Sequence, residues 1–167
     1  MQSLALVPAR GGSVGIPNKN KRLFCGKSLT SWAVEVGLQT CSRTFVSTDD
    51  KDIAQIALFS RAEFIDRPKD LAQDDTPMLA VVKHALLELS PWKPDVVVLL
   101  QPTSPLRTPQ MVQEALAMLE TDKTSQIDSV ASVVPIPAHW SPDLAMKLTG
   151  PWLYAKRAST MRRQDAQ

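Results

Sequence analysis

The stretch Asp95-Val-Val-Val-Leu-Leu100 is a run of five aliphatic residues behind a single aspartate. A continuous apolar run is typical of a central strand in a parallel sheet, because helices cover both faces of such a strand. At five residues the run is far too short to cross a bilayer. We therefore predict a mostly parallel sheet and no association with a membrane.

Segments with strand spacing and with helix spacing alternate on both sides of this run. Runs rich in β-forming residues predict strands at residues 4–8, 44–47, 63–65, 96–100 and 129–134. Apolar residues at helical spacing predict helices that include residues 32–39, 51–60, 78–89 and 109–120. The pair Thr108-Pro109 is well suited to begin the last of these. The alternation predicts a single α/β domain over residues 1–167, with three layers and helices on both faces of the sheet.

The composition is that of an ordinary soluble protein. Apolar residues make up 44% and charged residues 22%, and the formal net charge is +2. That charge is too small to indicate a nucleic-acid partner by itself. The N-terminus lacks the basic start and long apolar run of a secretory signal, so a cytoplasmic location is expected. Cys25 and Cys41 fit no metal spacing and are expected to be free thiols.

The loop after the first predicted strand reads Pro8-Ala-Arg-Gly-Gly-Ser-Val-Gly-Ile-Pro-Asn-Lys-Asn20. Its glycines allow successive backbone N–H groups to turn toward one anion. Its two cations, Arg10 and Lys19, are suited to neutralise phosphate oxygens. Ligands of parallel α/β sheets bind beyond the carboxyl ends of the strands, where this loop begins. The loop therefore indicates a phosphate site, with a plain surface turn as the alternative.

Two known phosphate-binding motifs do not fit the N-terminal segment. A dinucleotide fingerprint needs three glycines, but Arg10 stands where the first of them should precede Gly12 and Gly15. A Walker A loop needs a glycine five residues before Gly26-Lys27-Ser28, where this chain has Lys21.

The segment Arg10-Gly-Gly-Ser-Val-Gly-Ile-Pro-Asn-Lys-Asn20 resembles the signature loop of the acylneuraminate cytidylyltransferase family, the CMP–sialic acid synthetases and their relatives. Other blocks are similar to that family in the same order and spacing. They are Phe24-Cys-Gly-Lys27, Val46-Ser-Thr-Asp-Asp50, Arg67-Pro-Lys-Asp-Leu-Ala-Gln-Asp-Asp-Thr-Pro77 with His84-Ala-Leu86, Leu99-Leu-Gln-Pro-Thr-Ser-Pro-Leu-Arg107 and Arg162-Arg-Gln-Asp165. The resemblance therefore covers essentially the whole chain.

The resemblance implies a Rossmann-like nucleotidyltransferase fold and an enzyme of sugar nucleotide biosynthesis. Members of the family transfer CMP from CTP to an acidic nine-carbon (nonulosonic) sugar of the sialic acid type and release pyrophosphate. Such transfer depends on positioning and charge stabilisation, so cations and Mg²⁺ are the expected parts. A homodimer is also implied, with residues 135–155 as the dimerisation arm. Trp140, Trp152 and Tyr154 are its interface anchors or, alternatively, core residues.

The resemblance also implies roles for individual residues. Arg10 and Lys19 take the catalytic positions beside the triphosphate, and Gln101 takes the position that holds the acidic sugar. The family's nucleotide-binding positions are matched by Arg10, Gly11, Gly12, Ser13, Lys19, Asn20, Arg67 and Thr76. The metal ligands and the general base for the sugar hydroxyl stay unassigned.

Plainer interpretations stay open for several side chains. Arg67, which precedes a proline, is alternatively an ordinary solvated arginine. Asp49 and Asp50 are expected to cap the helix that begins near Lys51 rather than to bind a metal. His84 is expected to be a packed or partly exposed histidine rather than a catalytic base.

Two features depart from the family pattern. The family's loop usually has lysine where this chain has Val14, and loss of one such cation typically costs ~2.7–4 kcal/mol of transition-state stabilisation. Lys19, Lys21 or Arg22 is a candidate replacement. The chain also ends at Gln167, before the family's acidic magnesium-binding segment, which predicts a truncated member. The alternative functions are therefore a nucleotide-binding remnant with impaired transfer and, with less support, transfer from a nucleotide with another base.

Overall fold

The computed structural model describes residues 1–122 and 127–133, together with the backbones of two strands beyond them. The chain divides into two compact units, Met1–Val130 and Ala131–Gln167. The assignment of all 167 residues to one domain stays a prediction. Trp140 and the basic block at 162–165 lie outside the described residues, as do the side chains of Trp152 and Tyr154.

The described part of the first unit contains six strands. They are β1 (Ser3–Pro8), β2 (Leu23–Phe24), β3 (Lys27–Ser28), β4 (Arg43–Thr48), β5 (Glu63–Asp66) and β6 (Val96–Leu99). Four of them form a parallel sheet in the order β5-β4-β1-β6, and β2 and β3 form a separate antiparallel hairpin. The chain runs outward from β1 through β4 to β5 and then returns to the other side of β1. The strand order therefore reverses between β1 and β6.

Helices cover both faces of this sheet. They are α1 (Leu29–Thr40), α2 (Lys51–Phe59), α3 (Met78–Glu88) and α4 (Pro109–Thr121). Side chains of β1 alternate between the two faces, as the pleat requires. Ala5 and Val7 belong to a core with buried residues of α1, α2 and α4, whereas Leu4 and Leu6 belong to a second core with Ala85 of α3. The predicted three-layer α/β/α arrangement is confirmed.

The starts of α2 and α4 follow the expected capping chemistry. Asp50 Oδ1 accepts hydrogen bonds from the backbone amides of Asp52 and Ile53 at 2.8 and 3.1 Å, so its predicted role as a cap of α2 is confirmed. The same prediction is wrong for Asp49, whose Oδ1 accepts from the Gly11 amide instead. Thr108 Oγ1 accepts from the amide of Met111 at the start of α4, directly before Pro109. Because these caps satisfy amides that have no partner within the helix, they determine where each helix begins.

The prediction of a strand at residues 129–134 is wrong over the residues that the structure describes. Residues 129–133 have no strand conformation, and Val133 is 54% exposed. An extended segment is stabilised by hydrogen bonds to a neighbouring strand and by burial of one face. Residues 129–133 have no partner strand among the described residues and are mostly exposed, so neither source of stabilisation supports their apolar pattern there.

The second unit contains one described element, a hairpin of β7 (Met146–Thr149) and β8 (Trp152–Ala155). Its strands pair antiparallel, with Met146 opposite Ala155 and Thr149 opposite Trp152. Across the described parts of both units, no helix is long and apolar enough to cross a membrane.

Candidate active site

A cleft of about 180 Å³ opens at the carboxyl ends of β1 and β6, where the strand order reverses. Such switch points are the usual ligand sites of open parallel sheets. The predicted site residues that line the cleft are Arg10, Ser13, Lys19, Asn20, Arg67, Thr76 and Gln101. Gly11 and Gly12 do not line it. Side chains from three separate segments thus converge, as expected from the places where β1, β5 and β6 end.

The glycine-rich loop is held by contacts to its neighbours on both sides. The Gly11 amide donates a hydrogen bond to Asp49 Oδ1 at 2.9 Å, so this N–H is engaged by a carboxylate of the protein. Asn20 Nδ2 donates to the Arg10 carbonyl at 2.8 Å, and the Asn20 carbonyl accepts from Thr30 Oγ1 at 2.9 Å. Asn20 is 6% exposed, so it acts in this structure as an internal brace of the loop.

Arg10 reaches from the glycine-rich loop to the opposite wall of the cleft. Its guanidinium donates to the Ala72 carbonyl at 3.1 Å through Nη1 and pairs with the Asp74 carboxylate through Nη2. Sequence reasoning missed Asp74 because nothing in the local pattern distinguishes it from the adjacent Asp75. The contact depends on the approach of two loops that are separated by more than sixty residues in the chain.

Arg67 is buried at the end of β5 with 5% of its surface exposed, which excludes the solvated alternative. Its Nε donates to Ser47 Oγ at 3.1 Å and its Nη2 to the Ser47 carbonyl at 2.7 Å. Burial lowers the pKa of Arg67 to about 10. The nearby charge of Asp49 opposes this shift, and the positive charge of Arg10 adds to it. Arg67 therefore still carries its positive charge at neutral pH, and it lies in a fixed orientation at the cleft.

Thr76 and Gln101 line the cleft from two tight turns. Thr76 Oγ1 accepts from the Gln73 amide at 3.1 Å within the turn that follows β5. Gln101 follows β6, and its carbonyl accepts from the Ser104 amide at 3.2 Å. The Gln101 side chain is exposed and lies on the β6 side of the cleft.

The chain matches the family model described as cytidylyltransferase over residues 4–165. This chain belongs to the cytidylyltransferase family. The match spans nearly the full sequence and includes every segment that lines the cleft.

Relatives with assigned functions cover most of this chain. It is 38% identical over 141 residues to a CMP-N,N'-diacetyllegionaminic acid synthase of Legionella pneumophila, which covers 81% of this chain and 59% of that protein. It is 36% identical over 121 residues to a pseudaminic acid cytidylyltransferase of Campylobacter jejuni, with coverage of 69% and 52%. It is 35% identical over 120 residues to an N-acylneuraminate cytidylyltransferase of Escherichia coli, with coverage of 71% and 28%. The matched region thus spans between about a quarter and three fifths of these relatives.

Solved structures show the same fold. A CMP:2-keto-3-deoxy-manno-octonic acid synthetase complexed with CTP superposes with a TM-score of 0.64 at 21% identity, over 74% of this chain and 49% of that chain. A cytidylyltransferase from Leptospira borgpetersenii superposes with a TM-score of 0.57 at 18% identity, over 74% and 51%. These likenesses confirm the nucleotidyltransferase fold.

The place of the family's loop lysine is taken by Val14, which is 75% exposed and does not line the cleft. Of the three candidate replacement cations, Lys19 alone lines the cleft. Lys21 is held by carboxylates at the start of α2, and Arg22 Nε donates to the Pro17 carbonyl at 3.2 Å. The Lys19 ammonium has no ion pair or hydrogen bond within the described part of the chain. Lys19 is therefore the cation best placed for an anionic ligand.

The remaining titratable groups near the cleft do not form a metal centre. Among residues 1–122 and 127–133 no three His, Cys, Asp or Glu side chains are grouped to hold a metal ion. The carboxylates of Asp49, Asp50 and Asp74 already accept hydrogen bonds or pair with a cation. His84 does not line the cleft, is largely buried, and has Nε2 3.8 Å from Glu88 Oε1, which agrees with the prediction of a packed or partly exposed histidine.

Proposed function

We propose that this chain transfers CMP from CTP to an acidic nonulosonic sugar and releases pyrophosphate. The observation that carries the proposal is the convergence of Arg10, Lys19 and Arg67 on one cleft at the reversal of strand order. The family membership and the assigned functions of the Legionella, Campylobacter and Escherichia relatives support it. Because the chain spans only part of those relatives, the activity is a proposal for the sequence as it stands.

The residues that line the cleft have different roles in this reaction. Arg10 and Lys19 bind the triphosphate and stabilise the charge that develops on the leaving pyrophosphate. Arg67 and Thr76 hold the cytosine, and Gln101 holds the acidic sugar. A sugar hydroxyl oxygen bonds to the α-phosphorus as the bond from that phosphorus to the bridging oxygen of pyrophosphate breaks. The hydroxyl proton leaves to a base that the described residues do not identify.

We also propose that Mg²⁺ takes part in the reaction. The described residues do not form a cage for this ion, since the carboxylates near the cleft are already engaged. Mg²⁺ commonly binds through substrate phosphates with one or two carboxylates, and there it neutralises phosphate charge. The roles given to Arg10, Lys19 and Arg67 do not depend on it.

A second candidate function is nucleotide binding without transfer. The specific observation in its favour is Val14, an exposed apolar side chain at the place of the family's loop lysine. A missing cation beside the leaving group lowers the rate of transfer more than it lowers affinity if the contact strengthens in the transition state. The two candidates therefore differ in turnover rather than in CTP binding.

The test is a pyrophosphate-release assay on the full chain with CTP, Mg²⁺ and a panel of legionaminic, pseudaminic and N-acylneuraminic acids. We expect turnover with at least one acid, loss of that turnover in Arg10→Ala, and no turnover when UTP or ATP replaces CTP. CTP binding by calorimetry without turnover on any acid would favour the second candidate. Equal activity with UTP would contradict the assignment to cytidine.

The location and the assembly complete the proposal. A cytoplasmic site for the reaction and a homodimer formed through residues 135–155 both stay predictions from the sequence. Size-exclusion chromatography with light scattering tests the second, and a monomer at micromolar concentration would contradict it.

A further inference from the structure

Asp74 is a carboxylate of the cleft to which neither the sequence patterns nor the proposed reaction assigns a role. It lines the cleft, and it pairs with the guanidinium of Arg10, the residue proposed to bind the triphosphate. Asp74 therefore presents an anion to Arg10 at the place where a phosphate oxygen would bind. The pair joins the glycine-rich loop on one wall to the turn after β5 on the other.

The exposure of the two side chains shows that the pair is weak. The side chain of Arg10 is 24% exposed and that of Asp74 is 55% exposed. Ion pairs in contact with water contribute little, because the charges are screened and both side chains lose freedom. A triphosphate carries several charges and offers oxygens to both ends of a guanidinium, so its bonds to arginine are stronger than those of one exposed carboxylate.

The backbone that carries Asp74 is braced by bonds within its own turn, in addition to the bond from Arg10 Nη1 to the Ala72 carbonyl. Gln73 Nε2 donates to the Lys69 carbonyl at 2.6 Å, and the Gln73 amide donates to Thr76 Oγ1 at 3.1 Å. The turn therefore keeps its shape if the Asp74 side chain rotates toward water. Release of the pair requires the movement of one exposed side chain and no refolding of the wall.

We propose that Asp74 is an exchangeable counter-ion of Arg10, which the triphosphate of CTP displaces when it enters the cleft. This inference rests on the proposed function, because it takes CTP as the ligand. The exchange disfavours weakly charged ligands, since an anion must compete with Asp74 for Arg10. Asp74 is thus a specificity residue that selects for a polyphosphate and keeps Arg10 neutralised in the free protein.

The experiment is a calorimetric titration of CTP into the wild-type chain, Asp74→Asn and Asp75→Asn. Asp75 is the matched control, because it is the exposed neighbour of Asp74, has no described contact with Arg10, and loses the same charge. We expect Asp74→Asn to lower the Kd for CTP roughly two- to fivefold, the range that a partly exposed ion pair is worth. Asp75→Asn is expected to bind CTP as the wild type does.

Each other outcome overturns a definite statement. An unchanged or raised Kd in Asp74→Asn would show that Asp74 positions Arg10 or is neutral, and would overturn the counter-ion role alone. An equal fall in the Kd for CTP in Asp74→Asn and Asp75→Asn would assign the effect to net charge and would also overturn the counter-ion role. No CTP binding in any of the three proteins would overturn the proposed function together with this inference. Asp74→Ser serves as a second variant, and the same direction of change is expected for it.

Discussion

Lys21 ties the glycine-rich loop to the start of α2. Its ammonium lies 2.8 Å from Asp52 Oδ2 and 2.9 Å from Asp50 Oδ2, and these hydrogen bonds raise the pKa of Lys21 above 10.5. Burial by itself raises the pKa of Asp50, but the hydrogen bonds from Lys21 and from two backbone amides outweigh it. The pKa of Asp50 therefore lies below its ordinary value of 3.8.

We expect Lys21→Met to lower the free energy of unfolding at pH 7 by about 1 kcal/mol or less, as for other partly exposed pairs. A carboxyl whose pKa is lowered by folding adds stability above its unfolded pKa and loses it as the pH falls through the folded pKa. The difference between wild type and variant should therefore shrink as the pH falls below 3.8. Urea unfolding at a series of pH values measures this difference in the free energy of unfolding, with Lys51→Met as an exposed control. An equal loss at pH 3 and pH 7 would assign the effect to packing.

Val14→Lys returns a cation to the place where the family usually has one. Because Val14 is 75% exposed, the change should leave the free energy of unfolding unaltered. One charge-stabilising contact in comparable sites is worth about 100-fold in kcat, so we expect at least about a tenfold rise in kcat/KM for pyrophosphate release. Ile16→Lys, which adds the same charge two residues away, is the control. A rise in both variants, or in neither, would contradict a specific role for position 14.

The site residues differ in how far their sequence context predicted them. Arg10 and Lys19 were predictable as the cations of the glycine-rich loop that follows β1, whereas the role of Arg67 followed only from the resemblance of its segment to the family. Two contacts could not be predicted, since each depends on loops that meet only in the folded chain. They are the hydrogen bond from Gly11 to Asp49 and the ion pair of Arg10 with Asp74. No local spacing reports such contacts.

At the scale of elements, α1 packs closely against the sheet at Gly37. A Cβ at this position would lie 2.8 Å from Ala5 Cβ and 2.9 Å from Thr44 Cγ2. Both neighbours belong to sheet strands and have little room to move. The absence of a side chain at Gly37 is therefore what allows the helix to come this close to β1 and β4.

Gly37→Ala should lower the free energy of unfolding by roughly 1–3 kcal/mol, the usual cost of overpacking a core. Helix propensity alone predicts the opposite sign, since alanine is favoured over glycine in a helix by about 1 kcal/mol. Urea unfolding followed by circular dichroism decides between destabilisation by overpacking and stabilisation by helix propensity. Gln39→Ala, exposed on the same helix, should be neutral or slightly stabilising. Stabilisation by Gly37→Ala would contradict the close packing described here.

The longer elements were predictable because their apolar periods extend over several turns or over one continuous run, as in α3 and β6. The β2–β3 hairpin could not be predicted, since strands of two residues have no period. The turn that joins them has positive φ at Cys25 (49°) and Gly26 (82°). The prediction of a strand at residues 129–134 was wrong because an apolar pattern alone does not form a strand. Its apolar pattern was present, but residues 129–133 have no described partner strand.

At the scale of the whole molecule, the order β5-β4-β1-β6 explains why residues far apart in the chain serve one cleft. The reversal between β1 and β6 opens a crevice beyond their carboxyl ends, and helices on both faces keep the sheet rigid behind it. The cations that face this crevice come from the segments after β1 and β5, and Gln101 comes from the segment after β6. Topology thus assembles the proposed site for CTP from residues 10 to 101.

Binding of the CTP triphosphate in this cleft is tested most directly by the Kd for CTP of the wild type, Lys19→Ala and Lys51→Ala. Lys51 is an exposed lysine outside the cleft, so the two variants remove the same charge from different places. A hydrogen bond to a charged group contributes about 1.5–3 kcal/mol, so Lys19→Ala should raise the Kd roughly 10- to 100-fold. Lys51→Ala should leave the Kd within about twofold of wild type. A Kd in Lys19→Ala equal to that of the wild type would contradict the placement of the triphosphate.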